Sequence, residues 1–264
     1  MSERVSGRTF GEMADDYDRV RLGYPAELVH DVLAYLGSAG DGRRTLEVGA
    51  GTGKATVAFA DRGLSIVALE PDHAMAAVLA RHVADVPRVE IVRSTFEEYR
   101  PPERFGLLLS ADAWHWTDPQ SRWWLAAQAI APRGVVAVFG HDGRIADTGL
   151  RQAMLDVLAA HAPTLVVRDD PVEPERLFET WPGDELAERP EFTDLVGRVY
   201  PSRRTMSGAD YLTYMSTRSQ CRMMAEPDRH RLFTALADVF DRPVPLIVET
   251  VLYLARLSPT PGRA

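Results

Sequence analysis

Cysteine is almost missing from this chain. Cys221 is the single one in 264 residues, which excludes an intrachain disulfide and a thiolate zinc cluster. Lysine is equally scarce, since Lys54 stands alone among arginines, and no mechanism follows from that bias. No apolar run reaches membrane-spanning length, and "MSERVSGRTFGEMADDYDRV" lacks the apolar centre of a signal peptide. A cytoplasmic protein without membrane contact is therefore expected. There is no internal repeat or low-complexity tract. No group of His, Asp and Glu has metal-ligand spacing, so no metal is expected. Positive charge is also short: the net charge is −8, so no global basic field gathers nucleic acid. What remains, with 45% hydrophobic and 26% charged residues, suits a globular protein with a substantial core, and an acidic small-molecule enzyme is the simplest expectation.

Along the chain, "PAELVHDVLAYL" has apolar residues at helical spacing, with Pro25 suited to a first turn. A turn, "GSAGDG", leads into the strand "RRTLEV". Then helices ("KATVAFADR", "PDHAMAAVLARHVA", "PQSRWWLAAQAIA") alternate with strands ("LSIVALE", "RVEIV", "RFGLLLS", "GVVAVFG"). The alternation predicts an α/β fold with a parallel sheet and helices on both faces. The continuous apolar strands agree, because both their faces must be covered. After Gly140 the rhythm changes. "RQAMLDVLAAHA" reads as a helix, "RDDPVEPERLFETWPGDEL" as a loop or lid-like connection, and "TDLVGRVYP" as a strand. "GADYLTYMSTRS" and "EPDRHRLFTALADVF" read as helices capping one end, and "PLIVETVLYLARL" as a long last strand.

The informative stretch is "RRTLEVGAGTGKAT". A phosphate loop would need glycine at Val48 and a hydroxyl at Ala55, and both are missing. A dinucleotide fingerprint fits Gly49 and Gly51 but places Lys54 where its third glycine belongs. The remaining pattern is Glu47-Val48-Gly49-Ala50-Gly51-Thr52-Gly53, an acid closing a strand and glycines that let the backbone approach a ligand. The second strand ends on Glu70, which can accept hydrogen bonds from both hydroxyls of a ribose. Glu47 adds negative charge, useful toward an ammonium and a sulfonium and awkward beside a pyrophosphate. S-adenosylmethionine is favoured on these grounds, with a dinucleotide or a ligand-free glycine turn left as alternatives.

Several segments together resemble the class I S-adenosylmethionine-dependent methyltransferases, in particular the type 11 small-molecule group. "LEVGAGTGKAT" resembles the first motif of that family. "VALEPDHAMAAVLA" resembles the second, which would make Glu70 the ribose acid, followed by Pro71, and put Met75 near the adenine. "VEIVRSTFEEY" resembles the third, with Thr95 and Phe96 flanking the adenine edge, although many relatives carry aspartate where Thr95 stands. "FGLLLSADAWHWTDP" resembles the fourth, and "FGEMADDYDRVRLGYP" the lead-in segment, in which Tyr17 and Arg21 could close over the cofactor and Arg21 bind its carboxylate. The resemblance covers about residues 10–140. It implies a Rossmann-like, seven-stranded, mostly parallel sheet with a helical cap inserted near the C-terminal part. One domain over 1–264 is expected: an N-terminal helical segment (1–40), a cofactor-binding core (41–141), a cap with a returning strand (142–245) and a last strand (246–257).

Methyl transfer is an in-line displacement at an activated carbon, so holding the reactants aligned is the main requirement. Ala111 is small enough for close passage of the cofactor. His115 could deprotonate or orient an acceptor, or could be structural. Asp112 reads rather as a cap or loop-bonding residue, Asp142 as a helix start, and Lys54 as solvated. Trp114 and Trp116 suit a pocket wall or packing equally, whereas Trp123 and Trp124 suit the core. Segments 144–190 and 205–242 are expected to shape the acceptor pocket. The expected partner is a small-molecule methyl acceptor, not nucleic acid, bound by a monomer or homodimer. A protein that binds S-adenosylmethionine without transferring its methyl, and an RNA methyltransferase, are the competing readings.

Overall fold

The computed structural model describes residues 13–37, 44–165, 167 and 170–259. The "GSAGDG" turn falls almost wholly outside them. One seven-stranded sheet runs β3-β2-β1-β4-β5-β7-β6. Its strands are β1 (Arg44–Val48), β2 (Ser65–Leu69), β3 (Val89–Val92), β4 (Phe105–Ala111), β5 (Ile130–Ile145), β6 (Phe192–Met206) and β7 (Val244–Leu257). The first five pair in parallel, while β7 is antiparallel to both β5 and β6. This is the Rossmann-like, mostly parallel sheet that the family resemblance implies.

The strands are apolar throughout because each serves two cores. In β4, Leu107 and Leu109 face a cluster with Leu28 and Val32 of α2 (Ala26–Leu36) and Phe59 of α3 (Lys54–Ala60). Their neighbour Leu108 faces the opposite cluster, with Trp123 of α5 (Arg122–Ala129). Helix α4 (His73–His82) starts at Asp72, whose carboxylate accepts from the amides of Ala74 and Met75 at 2.9 and 3.0 Å. Removing this cap in Asp72→Ala should cost about 1 kcal/mol of stability, measured by chemical denaturation.

Beyond Gly140 the structure departs from the expectation. β5 does not end there but continues to Ile145, paired with β7 throughout. Asp142 therefore lies within a strand opposite Glu249, and the next helix, α6 (Thr148–His161), is started by Asp147. β5 thus crosses the expected boundary at 141/142, and the last strand starts at Val244 rather than 246. The extended ends of β5 and β7 carry Ile145, Leu246 and Val248 into a third cluster with α6, α8 (Gly208–Ser216) and, beyond the short α9 (Ser219–Arg222), α10 (Glu226–Val239). That cluster is the cap.

The proline- and acid-rich stretch expected as a lid is instead packed on the sheet. It forms a short 3-10 turn, Pro174–Glu179, and α7 (Gly183–Ala187), with Leu177 and Leu186 in the second core. Gly183 permits this, since a Cβ there would lie 2.2 Å from the Leu177 carbonyl oxygen. The buried Arg122 pairs with Glu185, which also accepts from Trp123 Nε1 at 2.8 Å. Trp123 is in the core as expected, but Trp124 is 62% exposed, because the helix turns its next position to solvent.

Candidate functional site

The strand order reverses between β1 and β4, and ligands of open α/β sheets sit at the carboxyl ends of the strands at such a point. A cavity of about 840 Å³ opens there, within the range of small-molecule sites. Of the residues expected around a cofactor, Tyr17, Arg21, Glu47, Gly49, Ala50, Gly51, Thr52, Glu70, Pro71, Met75, Thr95, Phe96 and Ala111 all line it, as does His115. Gly53 does not. It is the left-handed residue before α3, and a Cβ on it would lie 2.4 Å from Leu79 Cδ1, so its role is close helix packing.

The glycine loop is anchored at both ends. The amides of Gly49 and Ala50 donate to the Leu69 carbonyl, and Gly51 N donates to Glu70 Oε2 at 2.8 Å. Glu70 Oε1 accepts from Asp72 N at 2.8 Å, so its carboxylate is held at the end of β2 with lone pairs to spare. Glu47 is fully buried; Oε2 accepts from Thr56 Oγ1 at 2.7 Å, and Oε1 has no partner among the described residues. Burial pushes both Glu47 and Glu70 up to about 7. An orphaned carboxylate oxygen under the loop calls for a cation or a donor from a ligand. Gly51 (φ 58°) has open space where a side chain would be, so the loop presents bare backbone to the cavity.

Arg21 follows α1 (Ala14–Val20) and is fixed from three sides. Its Nε donates to Thr217 Oγ1 at 3.0 Å and Nη2 to the Thr217 carbonyl, while the rings of Tyr17 and Tyr214 lie 4.9 Å from the guanidinium. Lys54 is not simply solvated: it pairs with Asp18 at 3.2 Å and lines the cavity. His115 stands exposed at the rim on the turn after β4, its ring 4.7 Å from Trp116 and 6.4 Å from Trp181. Trp116 lines the cavity, while Trp114 is buried against Trp123.

A second group stands in the wall, and sequence reasoning, which placed Asp112 and His141 at the strand ends, missed the link that Tyr24 makes between them. Tyr24 Oη donates to Asp112 Oδ2 at 2.8 Å, and its ring stacks on His141 at 4.8 Å. Asp112 Oδ1 accepts from His141 N at 2.9 Å, which holds Asp112 at the left-handed φ of 52°. Gly140 makes room, since a Cβ there would lie 2.6 Å from Asp112 Oδ1. His141 Nδ1 is 2.9 Å from Thr250 Oγ1, and burial lowers its pKa. The loop-bonding role expected for Asp112 is what the structure shows. The clue to His141 was its place at the carboxyl edge of β5; its partner Tyr24 lies at the end of the lead-in segment, three residues beyond Arg21.

The cap contributes less than expected. Among the described residues, segment 144–190 supplies no lining residue, because α6 faces α10 and the following stretch faces the sheet. Segment 205–242 supplies Tyr214, Arg218 and Ser219.

Residues 45–134 match the family model of a methyltransferase domain. Over that third of its length the chain is similar to the class I S-adenosylmethionine-dependent methyltransferases. It is 34% identical over 134 residues to an uncharacterized methyltransferase of Mycobacterium tuberculosis, covering 50% of this chain. The match spans about half, 52%, of that relative's length. Over 105 residues it is 25% identical to a yeast protein described as a probable S-adenosylmethionine-dependent methyltransferase, covering 38% of this chain and 35% of that one. Among solved structures, one from Anaeromyxobacter dehalogenans assigned to the type II methyltransferases superposes with a TM-score of 0.60 at 23% identity, over 91% of this chain and 99% of that one. Phosphoethanolamine N-methyltransferase 2 of Haemonchus contortus, solved with phosphomonomethylethanolamine and S-adenosylhomocysteine, gives 0.52 at 16% identity, over 98% and 61%. These likenesses share the fold. No helix among the described residues is long and apolar enough to cross a membrane.

Proposed function

We propose that the protein transfers a methyl group from S-adenosylmethionine to a small-molecule acceptor in the cavity above β1 and β4. The observation that carries this is the pairing of a bare glycine loop with two buried carboxylates, Glu47 and Glu70, in one cavity. Glu47 Oε1, without a partner among the described residues, fits a cationic cofactor and fits a pyrophosphate badly. Glu70 would hold the ribose hydroxyls, Pro71, Met75, Thr95 and Phe96 the adenine, and Tyr17 and Arg21 the carboxylate. When bound, the cofactor supplies a methyl group activated by its sulfonium.

The chain's own part is alignment and exclusion of water. The loop fixes one reactant, and the small Ala111 leaves room beside it. The wall of Tyr24, Asp112, Trp116 and His141 faces the space left for the other. An acceptor that arrives protonated needs a base. His115, on the rim, is the expected one. His141 lines the same cavity, where burial favours its neutral ring. The acidic balance favours a small acceptor over RNA.

The test is formation of S-adenosylhomocysteine from S-adenosylmethionine with a small-molecule cell extract, in parallel with total RNA. Methyl transfer into the small-molecule fraction is expected. Transfer into RNA alone would replace the acceptor class, and no turnover with either would leave a cofactor-binding protein without transferase activity.

A further inference from the structure

The three residues by which the cap reaches the cavity are an aromatic, a cation and a hydroxyl: Tyr214, Arg218 and Ser219. Arg218 is half-buried there, and no carboxylate or hydrogen-bond acceptor among the described residues pairs with its side chain. Other arginines of the chain, among them Arg19, Arg44, Arg81, Arg122, Arg144 and Arg198, sit against carboxylates, whereas Arg218 lines the cavity without one. Arg21 is likewise free of any carboxylate partner, but its guanidinium is already engaged by Thr217 and two rings. The cavity thus holds Arg21 and Arg218 on its cap side; its other cation, Lys54, pairs with Asp18, and Glu47, Glu70, Glu97, Glu98, Asp112 and Asp142 line it as well. One anion, the cofactor carboxylate, is assigned to Arg21. Arg218 is left without one.

Resting on the cofactor reading above, we propose that the methyl acceptor carries an anionic group, a carboxylate or a phosphate, and that Arg218 binds it. A guanidinium presents a planar fork of donors matched to both groups. Its half-buried place strengthens the pairing relative to open solvent. Ser219 adds a hydroxyl beside it, and the ring of Tyr214 bounds the same wall. The anionic end of the acceptor is then anchored at the cap, and its reacting end is directed to the loop side of the cavity. Acceptors that lack the anion lose this anchor.

The proposal is tested on full-length protein loaded with S-adenosylhomocysteine, titrated with benzoate, benzamide and inorganic phosphate. Benzoate or phosphate should bind at least about 10-fold more tightly than benzamide, the value of one charge-assisted hydrogen bond. The bound anion distinguishes a carboxylate site from a phosphate site. Arg218→Gln should abolish the preference, Arg218→Lys should restore part of it, and both should keep the S-adenosylhomocysteine affinity of the wild type. Equal binding of benzoate, phosphate and benzamide overturns the proposal, as does an unchanged preference in Arg218→Gln. So does loss of S-adenosylhomocysteine affinity in that variant, which would move Arg218 to the cofactor. Failure of S-adenosylhomocysteine to bind the wild type overturns the cofactor reading itself, and the acceptor assignment with it.

Discussion

Gly51→Arg is expected to lower affinity for S-adenosylhomocysteine more than about 100-fold, or about 2.7 kcal/mol, while the protein stays folded. The structure separates this glycine from its neighbours. A Cβ at Gly51 meets no atom within 4 Å, so a side chain there enters the cavity and not the core. The left-handed φ of 58° adds a strain of about 1–2 kcal/mol, which lowers the melting point without unfolding the chain. At Gly49 and Gly53 an added Cβ would lie 2.4 Å from Ala113 Cβ and Leu79 Cδ1, so variants there mix folding with binding. Calorimetric titration together with a thermal melt distinguishes the cases. Wild-type affinity in folded Gly51→Arg would mean that the ligand does not lie against the loop.

The second large effect is a pH dependence. Burial raises the carboxyls of Glu47 and Glu70 to about 7. Such groups keep their protons in the folded state where the unfolded chain has lost them. Stability of the ligand-free protein should therefore fall as pH rises from the ordinary carboxylate range to about 7, by roughly 3 kcal/mol for each group. Denaturation between pH 5 and 8 measures this, and Glu47→Gln should remove about half of the slope. A cationic ligand acts in the opposite sense, because it favours the charged carboxylates. S-adenosylmethionine should bind more tightly at pH 8 than at pH 6, with release of protons. Binding that is flat or weaker at the higher pH would mean that these carboxylates do not face the ligand's positive charge.

Much of the sheet was legible because a strand buried on both faces must be apolar throughout, as "GLLLS" and "VVAVF" are. The end of β5 was not. His141, Asp142 and Gly143 carry no apolar signal, and they stay in the sheet because β7 pairs with them from more than a hundred residues away. The reading of the proline- and acid-rich stretch as a loop or lid-like connection missed its packing on the sheet for a related reason. Its prolines and acids are local signals, whereas Leu177, Leu186 and the Arg122–Glu185 pair are tertiary. At the site, the loop and Glu70 could be read because a ligand's chemistry dictates them within one βαβ unit. Tyr24, Asp112 and His141 come from three segments, and only folding brings them together.

The most direct measurement is a calorimetric titration of the wild-type protein with S-adenosylhomocysteine, run beside the same titration with a nicotinamide dinucleotide. One molecule of S-adenosylhomocysteine bound per chain, and no heat from the dinucleotide, is the predicted result. Binding of the dinucleotide in its place, or of neither, would contradict the account.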